Sequence, residues 1–361
     1  IFENVPLLNR PKKVPEYLKK LEKNVKKDVD IKDALLHLLH SPNISSKEEI
    51  YRMYDHEVQT RTIVKPGDDA TVLRIYGKHG IAVSSDSLPS HTYLDPFNGS
   101  AGATYECAMN LATKGAVPIA MVDCLNFGSP ERPEIMWQFV KSIHGIKRVA
   151  ELLDIPVISG NVSFYNENEG SAIKPTPVVT LIGEVEDISK TLEPPSLSDF
   201  SLILAGETKD ELGGSEFYRV MYNYDGGNPP KVDFSKLRNT IFTIADVARK
   251  GYSKLIHDVS IGGLGVALAE ISLKVGLEVD LSDFALPPEV LLFSESYGRA
   301  LILTEKERKV MKMLSSSDIP FKVIGRSGGE NLSITLKKWK KIEIGREEIE
   351  KAVNYLSKFI L

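Results

Sequence analysis

The residues best suited to chemistry lie where short apolar runs give way to polar ones. In Ala120-Met121-Val122-Asp123-Cys124-Leu125-Asn126 an acid and an amide follow a buried-strand pattern, and in Pro156-Val157-Ile158-Ser159-Gly160-Asn161-Val162-Ser163 a glycine, an amide and a hydroxyl do the same. Ligands of α/β proteins bind in the crevice beyond such strand ends. Gly160 would let a ligand approach the backbone, Asn161 offers an oxygen to a cation, and Ser163 can bond a phosphate. The plain alternative is that Asn161-Val162-Ser163 is a generic turn.

A second set is acidic. Gly67-Asp68-Asp69-Ala70 reads as a Gly-led turn entering a strand, and Asp86 closes the next strand pattern. Carboxylates so placed either converge on a hard cation or cap a solvated turn. Glu106 and Asn110 stand four apart in a helical run of small apolar residues, so both face the same way. Polar groups on a buried face need partners; Mg²⁺ with a phosphate satisfies both, and so would an intrahelical hydrogen bond. His257-Asp258-Val259-Ser260 with Gly262-Gly263, and Gly206 to Gly214, place glycines between strand and helix, where backbone N–H groups can meet phosphate. Neither is a dinucleotide fingerprint or a P-loop. Glu295, Ser296, Tyr297 and Arg299 lead into an apolar strand, with Arg299 able to pair Glu295. No histidine order or Cys/His pair marks a nucleophile, and Cys124 reads as a small buried hydrophobe.

The elements that must position these residues alternate β and α. The 361 residues carry 45 basic and 49 acidic side chains, a net charge of −4 that argues against a strongly basic nucleic-acid binder. Hydrophobic residues make up 42%, enough to fill cores in two or three domains. The apolar runs are shorter than the roughly 20 residues that span a bilayer. Two cysteines without metal-ligand spacing suit a reducing cytoplasm. The opening at Ile1, without a signal-peptide pattern, reads as a piece of something longer. Residues 1–60 read as linker and lead-in helices: one around Tyr17, Leu18, Leu21 and Val25, one from Asp30 to His40, one from Ser46 to His56. Residues 61–187 read as one domain, and the Pro194-Pro195 stretch as a boundary. Residues 198–361 read as a second domain ending in an amphipathic helix from Arg346 to Phe359.

Taken together, Asp123-Cys124-Leu125-Asn126-Phe127-Gly128, Pro133-Glu134-Ile135-Met136-Trp137, Ser159-Gly160-Asn161-Val162-Ser163-Phe164-Tyr165 and the His257 to Leu264 loop resemble the phosphoribosylformylglycinamidine synthase family. The likeness is to the C-terminal half of its large, ammonia-using subunit, within the aminoimidazole ribonucleotide synthase superfamily. It runs from about Arg10 to Gly325, with Gly67-Asp68-Asp69 standing where the family has Gly-Gly-Asp. The resemblance implies an α+β fold: a PurM-like pair of an α+β sheet domain that dimerises or pseudo-dimerises and a flanking α/β domain.

It implies an ATP-dependent ligase of de novo purine biosynthesis, which joins glutamine-derived ammonia to formylglycinamide ribonucleotide through an iminophosphate, with ATP and Mg²⁺. By resemblance Asp123 and Gly160 contact ATP, Asn161 ligates Mg²⁺ and Ser163 touches the substrate. Asp69, Glu106, Asn110 and Asp258 match an auxiliary nucleotide and magnesium site. The family's catalytic histidine lies in the N-terminal half, so none of the seven histidines here inherits that role. The partners implied are that half, a glutamine amidotransferase subunit and a small accessory subunit, in the cytoplasm, without nucleic acid or membrane. The rival readings are a non-catalytic nucleotide-binding assembly half-module, and another superfamily member such as aminoimidazole ribonucleotide synthase. Asp123 to Gly128 with the Trp137 helix favours the synthase.

Overall fold

Short apolar runs build two sheets, in a chain that the computed structural model describes over residues 8–21, 24, 29–194 and 196–360. Val25 of the first lead-in helix and Pro195 of the boundary lie outside the described residues. The first sheet contains β1 (Thr62–Val64), β2 (Thr71–Tyr76), β3 (His79–Asp86), β4 (Val117–Asn126) and β5 (Val157–Ser163). After the small hairpin of β6 (Glu167–Asn168) and β7 (Ser171–Ala172), β8 (Thr176–Val185) enters it, giving the order β1-β2-β3-β8-β4-β5. All neighbours are antiparallel except β4 and β5. A parallel pair needs a crossover, here made by a long helix.

The lead-in helices are α1 (Ile31–Leu39) and α2 (Glu48–Tyr51); α3 (Pro89–Leu94), α4 (Pro96–Thr113) and the crossover α5 (Pro133–Leu153) follow. Asp95 caps α4 by accepting from the Asn98 N–H at 3.0 Å. α4 and α5 approach closely because residue 145 is glycine: a Cβ there would lie 2.2 Å from the Phe97 carbonyl oxygen. In β8 buried and partly exposed residues alternate, so one face of the sheet packs on helices. The strand β5 is different. Residues 157–162 are exposed, Ile158 and Val162 among them.

The second sheet comprises β9 (Ser201–Ala205), β10 (Leu255–Asp258), β11 (Leu277–Asp280), β12 (Ala300–Thr304), β13 (Phe321–Ser327), β14 (Leu332–Thr335) and β15 (Lys341–Ile344). Its order is β10-β12-β9-β13-β11-β14-β15. Every residue of β9 and β12 is buried, as central strands require. The helices are α6 (Glu216–Tyr222), α7 (Leu237–Arg249), α8 (Gly263–Ser272), α9 (Pro288–Phe293), α10 (Glu307–Ser316), α11 (Arg346–Val353) and α12 (Ser357–Ile360). One apolar core runs from the first domain into the second, and α4 packs on both α7 and β10. α1 packs on α6, α8 and α11 of the second domain.

Local expectation and structure part at four places. The helix expected from Ser46 to His56 shrinks to α2, because Ile50, Met53 and Tyr54 point to solvent and give it no face to bury. The first lead-in segment is a 3-10 turn, Glu16–Lys20, among the described residues. The tail breaks into α11, a 3-10 turn and α12. Asp123, Asn126, Gly160, Asn161 and Ser163, expected beyond strand ends, lie within β4 and β5, since the parallel ladder continues through them. Among the described residues no helix is long and apolar enough to cross a membrane.

Candidate functional site

The ladder between β4 and β5 sets Asp123 opposite Gly160, Cys124 opposite Asn161, and Asn126 opposite Ser163. Alternation then divides the predicted residues between two faces. Asp123 and Gly160 face α5, whereas Asn161 and Ser163 share the open face with Cys124 and Asn126. A Cβ on residue 160 would lie 2.8 Å from Asp123 Oδ1, so glycine is what lets this carboxylate rest across the neighbouring strand. Partial burial raises the Asp123 pKa.

On the open face Asn161 Nδ2 donates to Cys124 Sγ at 3.8 Å. Asn126 Nδ2 donates to the Cys124 carbonyl at 3.1 Å and the Thr176 carbonyl at 3.3 Å. Each amide nitrogen is thus engaged by a protein acceptor. Asn166 donates to the Phe127 and Ser163 carbonyls at 3.0 and 2.9 Å, which fixes the chain beyond Ser163. Cys124 is half-exposed on this face, not the buried hydrophobe expected, because nothing among the described residues covers β5.

A second cluster lies where α4 meets β10. Glu106 is 2% exposed and neither carboxylate oxygen has a hydrogen-bond partner; Asp258 is 4% exposed and its Oδ2 has none. Burial, then the charges of Asp86 and Asp258, push Glu106 well above the usual carboxylate range. Burial, then Asp69 and Asp86, do the same to Asp258, and burial raises Asp86 to about 7. Buried unpaired carboxylates are costly, and hard oxygen donors of this kind suit Mg²⁺. Among the described residues no three His, Cys, Asp or Glu are grouped to hold a metal ion. Asn110 follows Glu106 one turn later on α4.

Asp69 behaves otherwise. Its Oδ1 lies 2.7 Å from His257 Nδ1, and its Oδ2 accepts from the Asp258 N–H at 3.3 Å. His257 Nε2 lies 2.8 Å from Glu270 Oε2. A carboxylate at each nitrogen requires both ring protons, so the ring is an imidazolium. Burial opposes that charge, but Asp69 and Glu270 hold the His257 pKa well above its ordinary value. Burial alone would raise Asp69, yet His257 and Lys114 pull it below the usual range. Lys114, itself buried, pairs with Asp68. Beside this cluster is a charged cavity of about 650 Å³ lined by Ser45, Lys47, Lys114, His257 and Glu270.

Asp86, at the end of β3, is thus the charge that acts most on Glu106, whereas Asp258 feels Asp69 first and Asp86 after it; Asp69 itself is paired with His257. Glu270 and Lys114 carried no motif, and His257 stood in the strand-to-helix loop motif without a role assigned to it. The available signal was a histidine beside an aspartate at a strand end, but its partner Asp69 is 188 positions away. Stability from the His257 charge is complete below about pH 6.5 and is lost as pH rises through the raised folded value. His257→Gln is expected to cost about 1.5–3 kcal/mol at pH 6, a difference that shrinks as pH rises. Urea unfolding at several pH values checks this, and a pH-independent difference would sink it.

Arg299 does not pair Glu295. It donates to the Ser296 and Ser294 carbonyls at 2.8 and 2.7 Å and to Thr208 Oγ1 at 2.9 Å. Glu295 instead accepts the N–H groups of Glu216 and Gly262, at the starts of α6 and α8, at 2.9 and 2.8 Å. It also lies 3.0 Å from His91 Nε2. Two helix N-termini outcompete the guanidinium for this carboxylate.

Family models place this arrangement. Residues 67–185 match the AIR synthase related protein N-terminal domain, and residues 201–337 match the corresponding C-terminal domain. The chain belongs to the AIR synthase related family. Its two sheets with their helices are the PurM-like pair, an α+β domain and a flanking α/β domain. It is 43% identical over 366 residues to phosphoribosylformylglycinamidine synthase subunit PurL of Methanosarcina acetivorans, covering 99% of this chain and 50% of that protein. The chain spans about half the length of the curated relatives it matches. T. maritima PurL complexed with FGAR matches with TM-score 0.73 at 16% identity, covering 90% of this chain and 54% of that one. The complex with ATP matches at 0.58 and 21% over 90% and 45%. The PurLQS structure from Thermotoga maritima matches at 0.68 and 18% over 94% and 54%. At these identities the solved structures speak for the fold.

Proposed function

We propose that this chain forms the second half of the ammonia-using subunit of phosphoribosylformylglycinamidine synthase. With a preceding half it would convert formylglycinamide ribonucleotide, ATP and glutamine-derived ammonia to formylglycinamidine ribonucleotide, ADP and phosphate, in the cytoplasm. The edge strand β5 carries this reading: it presents Gly160, Asn161 and Ser163 beside Asp123 on a strand exposed along most of its length. That is what half of a shared site needs.

Mg²⁺ would neutralise phosphate charge while the substrate amide oxygen is activated as an iminophosphate. Asn161 would offer its carboxamide oxygen to that cation, Asp123 and Gly160 would hold the nucleotide, and the Ser163 hydroxyl would bond the substrate. Ammonia comes from a glutamine amidotransferase subunit, and a small accessory subunit completes the assembly. The expected result is amidine and phosphate release only when this chain is mixed with the preceding half, ATP, Mg²⁺ and ammonium. Turnover by the chain alone would overturn the division of the site.

One observation favours a second role. The unpartnered oxygens of Glu106 and Asp258, with Asn110 on the same helix and Asp69 alongside, suit an auxiliary nucleotide with magnesium. Nucleotide binding without turnover in either preparation would favour the assembly half-module.

A further inference from the structure

The turn after β5 carries a side chain that does more than hold the turn. Tyr165 takes a left-handed backbone, φ +62°, which folds the chain back over the end of β4. The Asn166 N–H then donates to the Phe127 carbonyl at 3.1 Å, and the Tyr165 N–H to the Gly128 carbonyl at 3.2 Å. Glu167 Oε1 anchors the next residue by accepting the Ser129 N–H at 2.9 Å. Gly128 leaves room for that carboxylate, since a Cβ there would lie 2.9 Å from the same oxygen. The Asn166 side chain faces the Phe127 and Ser163 carbonyls, which only accept, so the atom toward them is the amide nitrogen. That nitrogen also lies 3.3 Å from the Ser163 hydroxyl oxygen. The Asn166 carboxamide oxygen is 3.5 Å from the hydroxyl, beyond the usual range of an O–H···O bond. The hydroxyl therefore takes a share of an amide proton and keeps its own proton weakly held.

We infer that Asn166 is a positioning residue, which holds the Ser163 hydroxyl so that its proton is given to an acceptor oxygen of the ribonucleotide substrate. The inference rests on the reading of Ser163 as a substrate contact and extends it to the direction of that hydrogen bond. A hydroxyl held in this way selects a carbonyl or phosphate oxygen and disfavours an N–H group. Asn166 acts through Ser163 and touches no substrate itself.

The test is a double-mutant cycle in the complex between this chain and its proposed preceding half, read as KM for formylglycinamide ribonucleotide at saturating ATP and ammonium. Asn166→Ala is expected to raise that KM about three- to tenfold, the worth of one hydrogen bond, with kcat and the KM for ATP within about twofold. In a Ser163→Ala background the same change adds nothing, because the hydroxyl it positions is gone. An equal factor in both backgrounds, or an unchanged KM in Asn166→Ala, overturns the positioning role and leaves Ser163 as the contact. An unchanged KM in Ser163→Ala overturns the contact and the inference with it. Absence of turnover in the wild-type complex overturns the proposed function as well. Asn166→Asp keeps the shape but, ionised, only accepts hydrogen bonds. It replaces the alanine variant where that one fails to fold, and the same outcomes decide.

Discussion

Arg299→Ala is expected to cost about 3–5 kcal/mol of folding stability, the range seen when one member of a buried charged network is removed. The side chain is fully buried. Its loss strands the Ser294 and Ser296 carbonyls and the Thr208 hydroxyl without their donors. It also removes the positive charge facing Asp258, Glu211, Glu106 and Glu295; burial pushes the guanidinium pKa down to about 10 while those carboxylates hold it up. For a domain with about 5–15 kcal/mol in total, such a loss is a large share. Urea unfolding measures it, and a cost under about 1 kcal/mol would count against the network. Adding Glu106→Gln should restore part of the loss, on the scale of about 0.5–3 kcal/mol typical of coupled neighbours. A strictly additive double variant would mean that the hydrogen bonds alone matter.

Asn161→Ala is expected to do the reverse: slow the proposed turnover sharply and leave the fold untouched. Asn161 is exposed and its contact is a 3.8 Å approach to Cys124 Sγ, so stability should stay within about 0.5 kcal/mol. If Asn161 steadies charge in the proposed phosphoryl transfer, its removal should lower kcat of the assembled enzyme by about 10²–10³. Part of the activity should return at raised Mg²⁺ if the oxygen binds the cation. Undiminished kcat would remove Asn161 from the site. Loss of stability in step with activity would show that the residue is structural.

Most of the architecture was legible in the chain because it follows from local patterning. Short β-rich runs marked most strands of the first sheet, and helical periodicity marked α1, α4, α5, α7 and α8. β11, β14, β15, α6, α9 and α10 went unread; β11, β14 and β15 are strands of only four residues, too short for alternation to stand out. The polar residues of Asp123 to Asn126 and Gly160 to Ser163 looked like loop. They are strand because the ladder between β4 and β5 satisfies their backbone whatever the side chains are.

By itself the sequence determined which residue types could bind a nucleotide and a cation, and that Asp123 belongs to one β-rich segment and Gly160, Asn161 and Ser163 to another. Only the tertiary structure decided that Asp123 and Gly160 share one face while Asn161 and Ser163 share the other. It also decided that Glu106 is left with Asp86 and Asp258 while Asp69 is taken by His257, and that Glu295 belongs to two helix N-termini rather than to Arg299. The reason is range. Capping, alternation and helical spacing act between residues a few positions apart, whereas a buried charge is governed by whatever the fold brings within a few ångströms in a low-dielectric interior, however far away in the chain.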